Sequence, residues 1–126
     1  MTQATKQNND TQVPGSMPVV TPPAPQPGLE DAAARLEALG NPTRLEIFRL
    51  LVRAGHAGAP VGQLQQALGI PASTLSHHLA KLVRVGLVRQ ERQSRTLLCH
   101  AEYAQMNALL AYLTDKCCKG LQISSC

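Results

Sequence analysis

The residues best suited to chemistry in this chain are sulfurs and imidazoles. Cys117 and Cys118 are adjacent, Cys126 follows them, and Cys99 stands apart among leucines. Thiolates are soft donors. Trivalent arsenic and antimony, which form pyramidal three-coordinate thiolate complexes, suit a cluster of three such ligands. The sulfurs alone leave other readings open: the vicinal pair could close a disulfide and serve as a redox switch, and Cys117 could simply continue an apolar helix face. Cys99 alternates with Leu97 and reads as core. His77 and His78 are also adjacent, but neighbours on a helix point about 100° apart and cannot share one ion in regular geometry. His77 is expected to face outward and His78 to be partly buried and hydrogen-bonded. An enzyme built on a cysteine thiolate would need a base beside it or a Cys-x-x-Cys pair, and the sequence has neither.

The second feature is charge. Twelve Lys and Arg against eight Asp and Glu give the 126-residue chain a net +4. Residues 72–95 hold Lys81, Arg84, Arg89, Arg92 and Arg95 against Glu91 alone, so the whole surplus lies in one stretch. A localised basic patch points to a polyanion, nucleic acid being the common one. Charge alone is equally compatible with a solvated helix face.

Composition narrows the setting. No run of about 18 apolar residues is present, which excludes a membrane-spanning helix. No basic stretch followed by an apolar block marks a signal peptide, so a cytoplasmic location with reduced thiols is expected. Phe48, Tyr103 and Tyr112 are the only aromatics and there is no Trp. The core must be aliphatic, which favours packed helices over a β-sandwich. The length fits one folded unit.

Six of the nine prolines (Pro14, Pro18, Pro22, Pro23, Pro25 and Pro27) fall in residues 1–28, where Lys6 and Asp10 are the only charges before Gly28. Such a segment buries too little apolar surface to offset its ordering entropy and is expected to be a disordered tail. Beyond it, Leu29, Ala32, Ala33, Leu36 and Leu39 form a helical stripe stopped by Gly40. Asn41-Pro42 is an N-cap followed by Pro at the first helical position, opening a helix to about Ala54. Leu45, Ile47, Phe48, Leu50, Leu51 and Val52 cover most of its circumference and predict the central core helix. A short helix over Val61–Leu68 closes at Gly69. A basic helix follows from about Ala72 to Val85, with Leu75, Leu79, Leu82 and Val85 inward. Leu87–Gln90 and Thr96–Cys99, around a turn at Gln93 and Ser94, predict a β-hairpin. The last helix is expected over about Glu102–Cys117, its seam formed by Tyr103, Met106, Leu110, Leu113 and Cys117.

Two short helices joined by a Gly-containing three-residue turn describe a helix-turn-helix. The second helix is the basic one. Its outward residues Ser73, Thr74, Ser76 and His77 are placed to approach base edges in the major groove. Lys81 and Arg84 are placed against phosphates, which supply affinity without sequence information. Arg92 and Arg95, at the hairpin tip, would reach the neighbouring backbone or minor groove.

These motifs carry a resemblance. Leu39-Gly40-Asn41-Pro42-Thr43-Arg44-Leu45-Glu46-Ile47 and Ser73-Thr74-Leu75-Ser76-His77-His78-Leu79, with Leu82 and Gly86-Leu87-Val88, resemble the ArsR/SmtB family of bacterial winged-helix metal-sensing repressors. The likeness spans about residues 29–118. It implies a mainly α winged helix-turn-helix of four helices, a β-hairpin wing and a C-terminal helix. It also implies a homodimer joined through the first and last helices, which binds operator DNA and dissociates when an inducer binds. Pro71 departs from the pattern, since many members carry a Ser cap there.

The resemblance also bears on the inducer. One arsenic-sensing type carries Cys-x-Cys at the start of the helix before the recognition helix, where this chain has Val61-Gly62-Gln63-Leu64. The zinc-sensing type uses Asp, His and Glu along the last helix, which here offers Glu102, Gln105, Asn107 and Asp115 without a His. The remaining pattern is similar to arsenite repressors with a C-terminal vicinal pair and a third Cys downstream. It implies Cys117, Cys118 and Cys126 as ligands, trivalent arsenic (arsenite) as inducer, and antimonite or organoarsenicals as further candidates, with residues 119–126 a flexible tail contributing to the site. A thiol redox or persulfide switch on the same fold is the alternative.

Overall fold

A computed structural model describes residues 24–121. The 1–23 part of the expected N-terminal tail, and Cys126, therefore lie outside the described residues. Helix α1 (Leu29–Leu39) leads through Gly40 to α2 (Pro42–Ala54). Asn41 caps α2: its side chain accepts the Arg44 backbone N–H at 3.0 Å, and Pro42 occupies the first turn, where a missing N–H has no consequence. A single 3-10 turn, Gly55–Ala57, passes to a two-residue strand β1 (Ala59–Pro60) and then α3 (Val61–Leu68). The chain leaves α3 through Gly69, whose φ of 65° and ψ of 34° are the left-handed conformation that glycine adopts without strain. Gly69-Ile70-Pro71 is the whole turn before α4 (Ala72–Arg84). Strands β2 (Val88–Gln93) and β3 (Thr96–Ala101) and helix α5 (Tyr103–Leu113) complete the order.

The core lies where these helices meet the base of the hairpin. Ile47 and Leu51 of α2, Leu64 of α3 and Leu75, Leu79 and Leu82 of α4 are buried with Leu87, Val88, Cys99 and Ala101. Each large aliphatic side chain buried here stabilises the fold by ~1.5–3 kcal/mol relative to exposure. The α4 residues recur at i, i+4 and i+7, so one face of that helix is committed to the interior. The hairpin is antiparallel, with Val88 opposite Ala101 and Gln93 opposite Thr96.

Several expectations change. The strands extend to Gln93 and Ala101, and the turn is Ser94-Arg95 rather than Gln93-Ser94, with Ser94 at a φ of 59°. A third strand was not anticipated: Ala59 pairs with Cys99, giving the sheet order β1-β3-β2. Two residues between Gly58 and a helix carry no alternation from which a strand could be read. Leu45 is 44% exposed because it lies about 120° around α2 from Leu51, off the face that Ile47, Phe48 and Leu51 bury. The last helix stops at Leu113, four residues short of Cys117. Beyond it, Thr114 Oγ1 donates to the Leu110 carbonyl and Lys116 takes a φ of 60°, so the helical ladder ends in successive turns. Exposed Thr114, Asp115 and Lys116 offer that turn no tertiary packing, which short helices depend on. Cys117 therefore does not continue the seam. Tyr103 and Met106 pack on the core, while Leu110 and Leu113 stay more than half exposed.

Candidate functional site

Two groups of residues form the candidate site: the outer face of α4 with the hairpin, and the thiols after α5. With about 100° per residue, Ser73, Thr74, Ser76, His77, Lys81 and Arg84 fall within an arc of about 160° on α4. Leu75, Leu79 and Leu82 occupy the opposite side. Ser73, Thr74, Ser76, His77 and Arg84 are all exposed. No acidic residue occurs between Ala72 and Arg84. This face presents small hydroxyls and an imidazole near the helix start and cations toward its end, a gradation suited to base edges and then phosphates. Pro71, at the N-cap, supplies no side-chain cap.

Lys81 differs from the other cations. It is half-buried at the edge of the arc, and its Nζ lies 4.0 Å from Glu37 of α1. In the hairpin, Arg89 is engaged: Nη1 donates to Glu91 at 3.2 Å, and Nε lies 3.7 Å from Glu102. Side-chain hydrogen bonds from Gln93 and then Arg89 hold the exposed Glu91 carboxyl below its ordinary range, so it stays ionised and offsets Arg89. Arg92 and Arg95 are exposed near and at the turn, and with Arg84 they make no ion pair among the described residues. The cations available to a polyanion are thus Arg84, Arg92 and Arg95, with Lys81 shared with α1. The sequence counts Arg89 in the basic stretch without giving it a DNA contact, and its ion pairs with Glu91 and Glu102, like that of Lys81 with Glu37, have no local signal in the sequence.

Sequence reasoning also missed how α4 is held. Arg44 is buried, with its Nε donating to the Ala38 carbonyl at 2.6 Å and its Nη1 3.3 Å from Nδ1 of His78. Arg35 of α1 donates from Nε to the Val85 carbonyl at the end of α4, at 2.9 Å. His78 is half-buried and hydrogen-bonded, and His77 is outward, as their positions predict.

Cys117 and Cys118 are both exposed, with sulfurs 3.3 Å apart. Cys118 has a φ of 63°, a turn conformation that brings adjacent side chains together as a helix cannot. Two thiolates bound at about 2.3 Å to one centre, with an angle of about 90–110° between the bonds, stand about 3.3–3.8 Å apart. The pair already has that spacing. No group of three His, Cys, Asp or Glu side chains able to hold a metal occurs among the described residues, and Cys126 lies outside them. Cys99 is fully buried on β3, with Gln90 Nε2 3.6 Å from its sulfur, and burial pushes its thiol up from the ordinary range.

Helices α2, α3 and α4 packed on a hairpin-bearing sheet, with the basic α4 entered through a glycine turn from α3, define a winged helix-turn-helix DNA-binding domain. The comparisons agree. A family described as a helix-turn-helix domain matches residues 39–91. The HTH-type transcriptional regulator YgaV of Escherichia coli (strain K12) is 34% identical over 93 residues, covering 74% of this chain and 92% of that protein. The crystal structure of an ArsR family transcriptional regulator superposes with a TM-score of 0.62 at 25% identity, covering 72% of this chain and 91% of the other. The solution structure of a homodimeric winged helix-turn-helix DNA-binding domain from Mycobacterium bovis, described as a possible ArsR-family regulator, gives a TM-score of 0.56 at 28% identity over 70% of this chain and 82% of that one. The chain belongs to the ArsR family of winged-helix transcriptional regulators. It is a DNA-binding regulator and not an enzyme, and no helix among the described residues is long and apolar enough to cross a membrane.

Proposed function

We propose that this regulator is a homodimeric repressor that leaves its operator when trivalent arsenic is captured by Cys117 and Cys118. The observation that carries this reading is the pair of exposed sulfurs 3.3 Å apart on a turn just beyond α5. Soft, pyramidal arsenic(III) suits adjacent thiolates, and a third thiolate completes inorganic arsenite or antimonite. Cys126 is the third ligand in this reading. An organoarsenical, with one position already filled by carbon, needs the vicinal pair alone.

Leu29 and Leu36 on α1 and Leu110 and Leu113 on α5 are the exposed apolar residues that a second copy would cover. The thiol turn adjoins that face. Capture of arsenic draws the turn around a common centre and shifts the end of α5, and with it the spacing of the two recognition helices. Half-sites one DNA turn apart require a fixed spacing, so a small shift weakens both contacts together. Ser73, Thr74, Ser76 and His77 read the bases, and Lys81, Arg84, Arg92 and Arg95 hold the backbone.

The test is titration of the operator-bound full chain with arsenite, following release by fluorescence anisotropy. Wild type should lose about 5–150-fold in affinity, the usual range of allosteric coupling. Cys117→Ser with Cys118→Ser should bind DNA as wild type does and ignore arsenite. Release from that double variant would refute the assignment. Cys126→Ser should respond to methylarsenite more nearly normally than to arsenite. Peroxide releasing DNA where arsenite does not would favour a redox switch instead.

A further inference from the structure

We infer that Arg44, acting through His78, is a positioning residue for the recognition helix, and that this contact holds only while His78 is neutral. The inference rests on α4 being the DNA-reading helix. Arg44 sits at the start of α2 with its backbone N–H capped by Asn41 and its guanidinium buried against α1, where Nε donates to the Ala38 carbonyl at 2.6 Å. The remaining edge of the same guanidinium meets Nδ1 of His78 at 3.3 Å. A guanidinium only donates, so Nδ1 must present its lone pair. The contact therefore selects a neutral imidazole protonated on Nε2, and joins the junction of α1 and α2 to the middle of α4, one residue from outward-facing His77.

Among the described residues, the charged and titratable groups around this imidazole come from α2, α4 and α1. Arg44 approaches from α2, and His77 and Lys81 from α4 itself. Glu37 of α1 is 4.0 Å from both Arg44 Nη2 and Lys81 Nζ. Cations outnumber the one carboxylate, and the carboxylate is shared between two of them. Burial, then Arg44, then His77 and Lys81 keep His78 below its ordinary range. A protonated ring would set N–H against N–H, and α4 would lose its central tie. The tie is intact above the ordinary imidazole value of about 6.5 and is lost as pH falls through the lowered one. Weakening in acid is therefore a signature of His78.

The test uses the full chain and a duplex selected by the wild-type protein from a random library, titrated at constant ionic strength from pH 8 to pH 5.5. Wild-type affinity should fall as the pH drops through the lowered His78 value, by up to about tenfold once the ring is protonated, the order expected for losing one charge-assisted hydrogen bond. His78→Leu, which has no acceptor, should be weakened about tenfold even at pH 8. His78→Asn keeps an acceptor near the Nδ1 position and does not titrate. It should restore binding at pH 8 to within about threefold of wild type and abolish the acid loss. A structural role alone would alter melting temperature without removing the pH dependence. Wild-type affinity that does not fall in acid, an acid loss retained in His78→Asn, or tight binding by His78→Leu at pH 8 would overturn the inference. Failure of wild type to select any duplex would overturn the DNA-interface reading itself, and this inference with it.

Discussion

Replacing Arg92 and Arg95 together by alanine should flatten the salt dependence of operator binding while leaving the fold unchanged. Both side chains are exposed, neither is ion-paired among the described residues, and Arg95 lies in the turn itself. The six residues of β2 carry the turn about 17 Å from the core end of the strand, at about 3.4 Å per residue. That distance separates the tip from the buried cluster, so the substitution should change stability by no more than ~0.5 kcal/mol. If both arginines meet phosphates, a dimer loses four contacts, and the slope of log affinity against log salt falls by about 3.6. A fourfold dilution of salt would then enlarge the variant's defect by roughly 150-fold. Anisotropy titrations at about 50, 100 and 200 mM salt would measure this. Arg89→Ala is the internal comparison, because Glu91 and Glu102 already engage that guanidinium. Its slope should stay within about one of wild type. A double variant with an unchanged slope would refute the assignment of the hairpin to the DNA backbone.

Two other outcomes follow from the geometry. Gly58→Ala should destabilise the protein by more than the ~1–3 kcal/mol that its φ of 73° costs a residue with a side chain, because the new Cβ would stand 2.7 Å from the Cys99 carbonyl and 2.6 Å from the His100 ring. Gly55→Ala, with a φ of 74° and open space around it, should show the backbone cost alone, so urea melts of the two variants isolate the clash. Brief iodoacetamide treatment at neutral pH should modify exposed Cys117 and Cys118 before Cys99, whose thiol is buried and held protonated by that burial. Peptide mass mapping reads this directly, and equal labelling of Cys99 in the native state would contradict its place in the core.

Local sequence determined the order of helices, the glycine turn between α3 and α4 and the division of α4 into inner and outer faces. Each depends on residues a few positions apart: the cap at Asn41, the left-handed Gly69, and the recurrence of Leu75, Leu79 and Leu82. The adjacency of Cys117 and Cys118 was equally plain. Only the tertiary structure decided what each polar group meets. Arg44 and His78 are 34 residues apart, and Arg35 and Val85 are 50 apart, so no local pattern pairs them. The end of α5 was decided the same way, since the periodicity through Leu113 continues to Cys117 on paper and stops where no neighbouring element packs against the next turn. Side-chain spacing along one element is set by the backbone helix and is written in the sequence; contacts between elements depend on how their faces pack, and appear only when the chain has folded.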